Sequence, residues 1–109
     1  MDELVSADDM AARVELLGDT AGVPCLKLTG EVDLSNVATV RAAIDEAIAR
    51  TTAGIIFDLA DLGFIDSSGL AMLVGFAEQT ESVELRHPRP MVLQVIELTG
   101  LSEIFRITP

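Results

Sequence analysis

The sequence has no tryptophan, no tyrosine, one cysteine and one histidine among its 109 residues. A single cysteine excludes an internal disulfide and a thiolate metal site within one chain. No apolar run approaches the roughly 20 residues that cross a bilayer, and the acidic start lacks the basic and apolar segments of a signal peptide. We therefore expect a cytoplasmic protein that does not insert into a membrane.

Basic residues are also scarce. Seven lysines and arginines against 18 acidic residues give a net charge of −11. Nucleic-acid binding needs clustered basic side chains, and so does binding to anionic membranes, so both are disfavoured. An acidic surface suits solubility or a basic protein partner. The length allows one domain with one core, which we place at residues 11–109 behind an acidic, flexible tail at 1–10.

The motifs of several enzyme classes are absent. The sequence contains no glycine-rich phosphate loop and no Gly-x-Ser-x-Gly nucleophile motif, and His87 precedes a proline and is a poor general base. We expect no enzymatic activity and no cofactor. Four aspartates near predicted strand ends could bind magnesium: Asp33, Asp58, Asp61 and Asp66. Turn formation and helix capping explain them more simply, so no metal site is expected.

The sequence does contain an alternation of strands and helices. Strands at 13–17 and 24–29 flank turn residues at 18–22 and predict a hairpin. The apolar run at 54–59 predicts a strand buried on both faces, followed by a turn at 61–63. Shorter strands are predicted at 83–86 and 104–107. With three helices between them, the order β-β-α-β-α-β-α-β predicts an α/β fold with a mixed sheet.

Capping residues and apolar periodicity place the helices. Ser35 or Asn36 can cap the first helix. The third helix, at 91–99, has Met91, Val95 and Leu98 on one side. It ends at Gly100-Leu101, the signature of a Schellman motif.

The most informative stretch is Phe-Ile-Asp-Ser-Ser-Gly-Leu at 64–70, which joins a strand to the second helix. If Asp66 is the N-cap, Ser67 and Ser68 are the first helical residues, where N–H groups lack partners within the helix. A serine there can assist the cap, or it can carry a phosphate that meets the positive end of the helix dipole. The residues alone leave both interpretations open.

Apolar residues of the second helix fall into two sets. The first forms a stripe that we expect to face the core: Leu70, Leu73, Val74 and Ala77. Met72 and Phe76 lie four residues apart and away from this stripe. Either the helix is buried on two sides, or these two residues form an apolar contact patch beside Ser67.

As a set, these motifs resemble the STAS domain family, and within it the single-domain anti-sigma factor antagonists of bacteria. Gly-Glu-Val-Asp at 30–33 resembles the family's Gly-Glu-hydrophobic-Asp after the second strand. The stretch at 64–70 matches the family's phosphorylation loop, and those at 88–92 and 97–101 resemble the entry and exit of its third helix. The segment 69–87 is about one helical turn shorter than is usual, so we expect a trimmed second helix or exit.

The resemblance implies a partner-switching regulator. Its unphosphorylated form would bind an anti-sigma factor with serine kinase activity and thereby free a sigma factor. Phosphorylation of Ser67 would block this binding, and a phosphatase would reverse it. The candidate partner-binding residues are Asp33, Leu34, Ser35, Asp66, Ser68, Gly69, Met72 and Phe76.

Other possibilities remain open alongside this one. A weak homodimer is one. A STAS accessory subunit of a membrane lipid or anion transporter is another, and a small-molecule or nucleotide-binding STAS module is a third.

Overall fold

The computed structural model describes residues 4–6, 12–48 and 53–109, the first segment for its backbone. Its elements are β1 (Leu4–Ser6), β2 (Ala12–Thr20), β3 (Val23–Val32), α1 (Val37–Ile48), β4 (Ile55–Ile65), α2 (Ser67–Gln79), β5 (Val83–Arg86), α3 (Pro90–Leu98) and β6 (Arg106–Thr108). From β2 onward the predicted order is confirmed. β1 is an additional strand within the predicted tail, whose other residues lie outside the described ranges.

The sheet is mixed, as predicted, and its strand order follows the sequence from β1 to β6. β1, β2 and β3 pair antiparallel, and β3 to β6 pair parallel. Connections between parallel strands of one sheet are right-handed. Because β4, β5 and β6 are added one after another in the same direction across the sheet, such connections place all three helices on one face. Burial alternates accordingly: Leu26 and Leu28 are buried, whereas Cys25 and Lys27 are half-buried. The second face of the sheet therefore carries no helix of the described residues.

The core lies between this helical layer and the covered face of the sheet. Aliphatic side chains dominate it, and Phe57 and Phe76 supply its largest rings, with centroids 6.2 Å apart. None of the helices in the described ranges has the length and apolar composition needed to cross a membrane.

The β2–β3 hairpin is tighter than predicted. β2 extends to Thr20, and the connection consists of Ala21 and Gly22 alone. Both have positive φ, +54° and +84°, as a two-residue type I′ turn requires. β3 also continues past the predicted end at 29, to Val32.

β4 differs most from the sequence-based expectation. It runs through residues 61–63, which were predicted to turn the chain, and ends only at Ile65. Register shifts in its pairing with β3 absorb the irregular sequence without ending the strand. The prediction of burial on both faces is also wrong, because Ile56 and Asp58 are half-buried while Phe57 is fully buried.

The end of α3 confirms the predicted Schellman motif. Gly100 has φ +76°, and its N–H donates to the carbonyl of Glu97 at 3.1 Å, while the N–H of Leu101 donates to that of Ile96 at 3.3 Å. These are the two bonds that define the motif.

The side of α3 that carries Met91, Val95 and Leu98 is not the side that is buried in the core. Val92 and Ile96 are the fully buried residues, whereas Met91 is 55% and Leu98 is 78% exposed. In a helix of nine residues, two apolar stripes lie within about one turn of each other. The packing of the helix, rather than its periodicity, selects the buried stripe.

Candidate functional site

The carboxylate of Asp66 caps α2. Its Oδ1 atom accepts hydrogen bonds from the N–H groups of Ser68 at 2.9 Å and Gly69 at 3.0 Å. The hydroxyl of Ser68 donates to the same oxygen at 2.6 Å. Asp66 has the extended backbone of an N-cap residue. The capping expected from the sequence is therefore present.

The second oxygen of Asp66 reaches a distant segment. Its Oδ2 accepts the N–H of Leu34 at 3.1 Å, and the backbone N–H of Asp66 donates to the carbonyl of Val32 at 3.2 Å. Leu34 lies in the loop between β3 and α1, at 33–36. One carboxylate thus joins this loop to the start of α2.

Hydrogen bonds within the 33–36 loop fix its shape. Asp33 Oδ1 accepts the N–H of Ser35 at 2.9 Å and its hydroxyl at 2.6 Å. Asn36 is only 8% exposed. It accepts the N–H of Asp33 at 3.0 Å and donates to the carbonyl of Glu31 at 2.9 Å. Asn36 directly precedes α1, and its carbonyl accepts the N–H of Val40 at 3.0 Å. The side chains of Ser35 and Asn36 bond within the loop and not to the first turn of α1, so the expected side-chain cap is not observed.

This fixed loop presents an apolar side chain to solvent. Leu34 is 77% exposed, although its N–H is held by Asp66. Because the backbone of this loop is already ordered, a partner that contacts Leu34 gains an apolar contact without the entropic cost of ordering the loop.

The two serines at the start of α2 differ in availability. Ser67 is exposed, and its hydroxyl forms no hydrogen bond within the described residues. Ser68 is half-buried, and its hydroxyl is bound to Asp66 at 2.6 Å. The structure therefore distinguishes two hydroxyls that are equivalent in the sequence motif.

Gly69 allows α2 to approach the ends of the strands closely. It is buried, and a Cβ atom at this position would lie 2.5 Å from Cγ1 of Ile65 and 3.1 Å from Cγ1 of Val32. Gly69 therefore contributes to the packing that positions Ser67 rather than to an exposed surface.

Met72 and Phe76 do not form the proposed contact patch. Met72 is 3% and Phe76 is 0% exposed, and the guanidinium of Arg41 on α1 lies 5.4 Å from the centroid of the Phe76 ring. α2 is buried on two sides, against the sheet and against α1. Met72 and Phe76 are therefore core residues, and the prediction that they belong to the partner-binding surface is wrong.

An apolar groove takes the place of that patch. It has a volume of about 340 Å³, starts at Ser67 and follows α2 to the end of α3. Its other lining residues are Leu70, Ala71, Val74, Gly75, Glu78, Thr99 and Leu101. Sequence reasoning missed this groove because it could not place the end of α3 beside α2; Leu70 is a core residue that also lines the groove.

The aspartates considered as metal ligands do not converge. Asp33 and Asp66 lie at the site, whereas Asp58 is on the open face of the sheet and Asp61 pairs with Lys27 at 2.8 Å. Within the described ranges, no cluster of three or more histidine, cysteine or carboxylate groups is placed to hold a metal ion.

Hydrogen bonding holds the pKa of Asp66 below its ordinary value of 3.8. The Ser68 hydroxyl is the largest cause, and the N–H groups of Gly69, Leu34 and Ser68 act in the same direction, against the effect of burial. These donors stabilise the ionised carboxylate.

The Asp66→Ala variant is expected to lower the free energy of unfolding by about 1–2 kcal/mol at neutral pH, the usual cost of losing an N-cap. A carboxyl with a lowered folded-state pKa stabilises above its unfolded pKa and loses that contribution as pH falls through the folded value. The difference between parent and variant should therefore shrink below pH 3.8. Urea unfolding across acidic pH measures it.

The exposed Asp45 on α1 provides the matched control for this variant. It makes only a 4.0 Å contact with Arg41, so Asp45→Ala should change stability by less than about 0.5 kcal/mol. A difference between Asp66→Ala and the parent that persists undiminished into acid would contradict the assigned role of the carboxylate.

Comparison with known proteins shows the family of this chain. The STAS domain family model matches residues 17–109, so the chain belongs to that family, as the motifs implied. The anti-sigma F factor antagonist of Lysinibacillus sphaericus is 36% identical over 81 residues, which are 70% of this chain and 69% of that protein.

Solved structures agree with this assignment. The anti-sigma factor antagonist SpoIIAA in its unphosphorylated form matches with a TM-score of 0.72 and 29% identity, covering 88% of each chain. The Bacillus cell fate determinant SpoIIAA in its phosphorylated form matches with a TM-score of 0.64 and 28% identity, covering 88% of this chain and 91% of that one.

Proposed function

We propose that this STAS domain is an anti-sigma factor antagonist whose binding to its anti-sigma factor is switched off by phosphorylation of Ser67. The observation that carries the proposal is the difference between the two serines. Ser67 has an exposed hydroxyl without a hydrogen bond to the described residues, whereas Ser68 donates to Asp66.

The geometry favours Ser67 as the phosphate acceptor. A hydroxyl nucleophile must be accessible to a kinase and free to lose its proton to a base. Transfer to Ser68 would require breaking its 2.6 Å bond to Asp66 and would place a dianion against the carboxylate that caps α2. Ser67 can receive the phosphate with the cap intact.

The fold itself can tolerate the modification. Ser67 is the first residue of α2, where the positive end of the helix dipole favours an anion, while Asp66 continues to accept the N–H groups of Ser68 and Gly69. A phosphate adds about −1.5 to −2 charges beside Asp66 and the Asp33 loop. Apolar groups of a partner would have to desolvate this charge on binding, and acidic groups would be repelled by it. We therefore expect binding to be lost while folding is retained.

The partner surface that we propose combines two apolar features around Ser67. One is the exposed side chain of Leu34, held beside the helix start by Asp66. The other is the groove that begins at Ser67 and runs along α2. An apolar centre with charged residues at its rim is the usual anatomy of an interface, and Asp33, Ser35 and Asp66 would lie at that rim.

The named relatives favour this function over the alternatives. Their names are those of anti-sigma factor antagonists, which are regulators rather than enzymes or transporter subunits, and SpoIIAA is known in unphosphorylated and phosphorylated forms. The partner would be an anti-sigma factor with serine kinase activity, a phosphatase would reverse the modification, and all would act in the cytoplasm.

The proposal is tested by incubating the protein with ATP and the anti-sigma factor kinase encoded in the same genome. Intact-mass analysis should detect one added phosphate, and peptide mapping should place it on Ser67. Ser67→Ala should remain unmodified and still bind the kinase. Phosphate on Ser68, or none on a protein that binds the kinase, would contradict the proposal.

A further inference from the structure

The face of the sheet opposite the helices carries an ordered row of charges. The strand registers place Glu15, Lys27, Asp58 and Arg86 side by side on β2, β3, β4 and β5. Residues in register on neighbouring strands point to the same side of a sheet. The charges of the row therefore alternate across four strands: negative, positive, negative and positive.

The neighbouring charged side chains on this open face nearly balance. They are Arg13, Glu31, Asp61, Glu84 and Arg106. Together with the row they make five acidic and four basic groups, so nearly all of the net charge of −11 lies elsewhere on the chain. A second copy that approaches this face meets a nearly neutral surface on an otherwise strongly acidic molecule.

Several groups of the row retain unused bonding capacity. Lys27 bonds Asp61 at 2.8 Å, and Arg86 bonds Glu84 at 2.8 Å through Nε, which leaves further N–H donors on both. Within the described residues Glu15 forms no ion pair, and Asp58 accepts only the N–H of Ala60. Free donors and free acceptors thus alternate along the row.

We propose that the open face binds a second copy of this chain, face to face, about a twofold axis that crosses the middle of the row. A twofold axis reverses the order of the row, and a reversed alternating row is complementary to the original. Glu15 then faces the partner subunit's Arg86, and Lys27 faces the partner subunit's Asp58. Each contact occurs twice, as in any isologous interface.

The charged chemistry of the face makes this association weak and dependent on salt. Stacked sheets lie about 10 Å apart, a gap that opposed lysine, arginine and glutamate side chains can bridge. Exposed ion pairs contribute little individually, and salt weakens them, with a screening length of about 8 Å at physiological ionic strength. The dimer should therefore form at high protein concentration and low ionic strength.

The proposed dimer leaves the phosphorylation site accessible. Ser67 and its groove belong to the helical layer, on the other side of the sheet. The dimer can therefore form whether Ser67 is phosphorylated or not, and failure of the phospho-switch would leave this inference intact.

Sedimentation equilibrium at low ionic strength tests the proposal with the protein alone. The parent should show an average mass that rises with concentration, and this rise should disappear at high salt. Glu15→Arg and Arg86→Glu should each weaken self-association at least about tenfold, because two attractive contacts become repulsive. Asp45→Arg makes the same charge change as Glu15→Arg on the helical side and should not weaken it.

Mixing the two reversed variants gives the sharpest result. In the mixture all four contacts are attractive again, so Glu15→Arg and Arg86→Glu should associate with each other at least as strongly as the parent does with itself. If either variant loses its circular dichroism, Lys27→Glu mixed with Asp58→Lys tests the other contact in the same way. A parent that stays monomeric at low salt, or folded variants that do not associate on mixing, would overturn the proposal.

Discussion

The Ser67→Glu variant is expected to bind the anti-sigma factor at least about tenfold more weakly than the parent. The added carboxylate lies at an exposed position beside Asp66 and the Asp33 loop, and uncompensated like charge at an interface costs several kcal/mol. Each 1.4 kcal/mol corresponds to a factor of ten in affinity. Isothermal titration with the anti-sigma factor measures the change.

Two variants separate this effect from a general effect of charge. Ser67→Ala removes the hydroxyl without adding charge and should bind within a few-fold of the parent. Ser82→Glu adds the same charge to an exposed serine just before β5 and should also bind normally. Equal affinity for the parent and Ser67→Glu would contradict a switch based on charge at this position.

The Phe76→Ala variant is expected to lose about 3–5 kcal/mol of stability, as is typical when a fully buried phenylalanine is truncated. Phe76 is 0% exposed, packs against Phe57 at 6.2 Å between ring centroids, and lies beneath the guanidinium of Arg41. Its loss leaves a cavity between α2 and the sheet. Urea unfolding measures the difference.

Phe64→Ala is the matched control, because Phe64 is less buried than Phe76. Phe64 is 38% exposed, so Phe64→Ala should cost less than about half as much. If Phe76→Ala instead weakened partner binding with stability unchanged, Phe76 would belong to an exposed contact surface after all, and its assignment to the core would be wrong.

The strand–helix junction is the part of the site that local sequence determines. Asp66 was expected to cap α2, and it does so through the N–H groups of residues two and three positions further on. Such a cap needs only neighbouring residues, as does the Schellman motif at Gly100. Features of this kind can be predicted because every bonding partner lies within about one helical turn.

Features that depend on packing were not predictable from local sequence. Residues 61–63 have the composition of a turn, yet pairing with β3 keeps them in β4. The sequence pattern grouped Met91 and Leu98 on one side of α3, but packing buries Val92 and Ile96 instead. Met72 and Phe76 are buried because α1 covers the second side of α2, which no pattern within α2 itself can indicate.

The site also depends on a contact between segments far apart in the sequence. The bond from Leu34 to Asp66 spans 32 residues, and it brings the exposed leucine beside Ser67. The family resemblance grouped these residues as candidates without giving their geometry. The structure adds the reason for preferring Ser67 to Ser68, because it places one hydroxyl in solvent and binds the other to the cap.

The central claim is tested most directly by the affinity of the anti-sigma factor for the protein before and after stoichiometric phosphorylation of Ser67. A phosphate carries more charge than a glutamate, so the phosphorylated protein should bind at least about a hundredfold more weakly, a loss of about 2.8 kcal/mol. Its circular dichroism and unfolding midpoint should stay close to those of the parent. Equal affinity of the two forms would contradict the account.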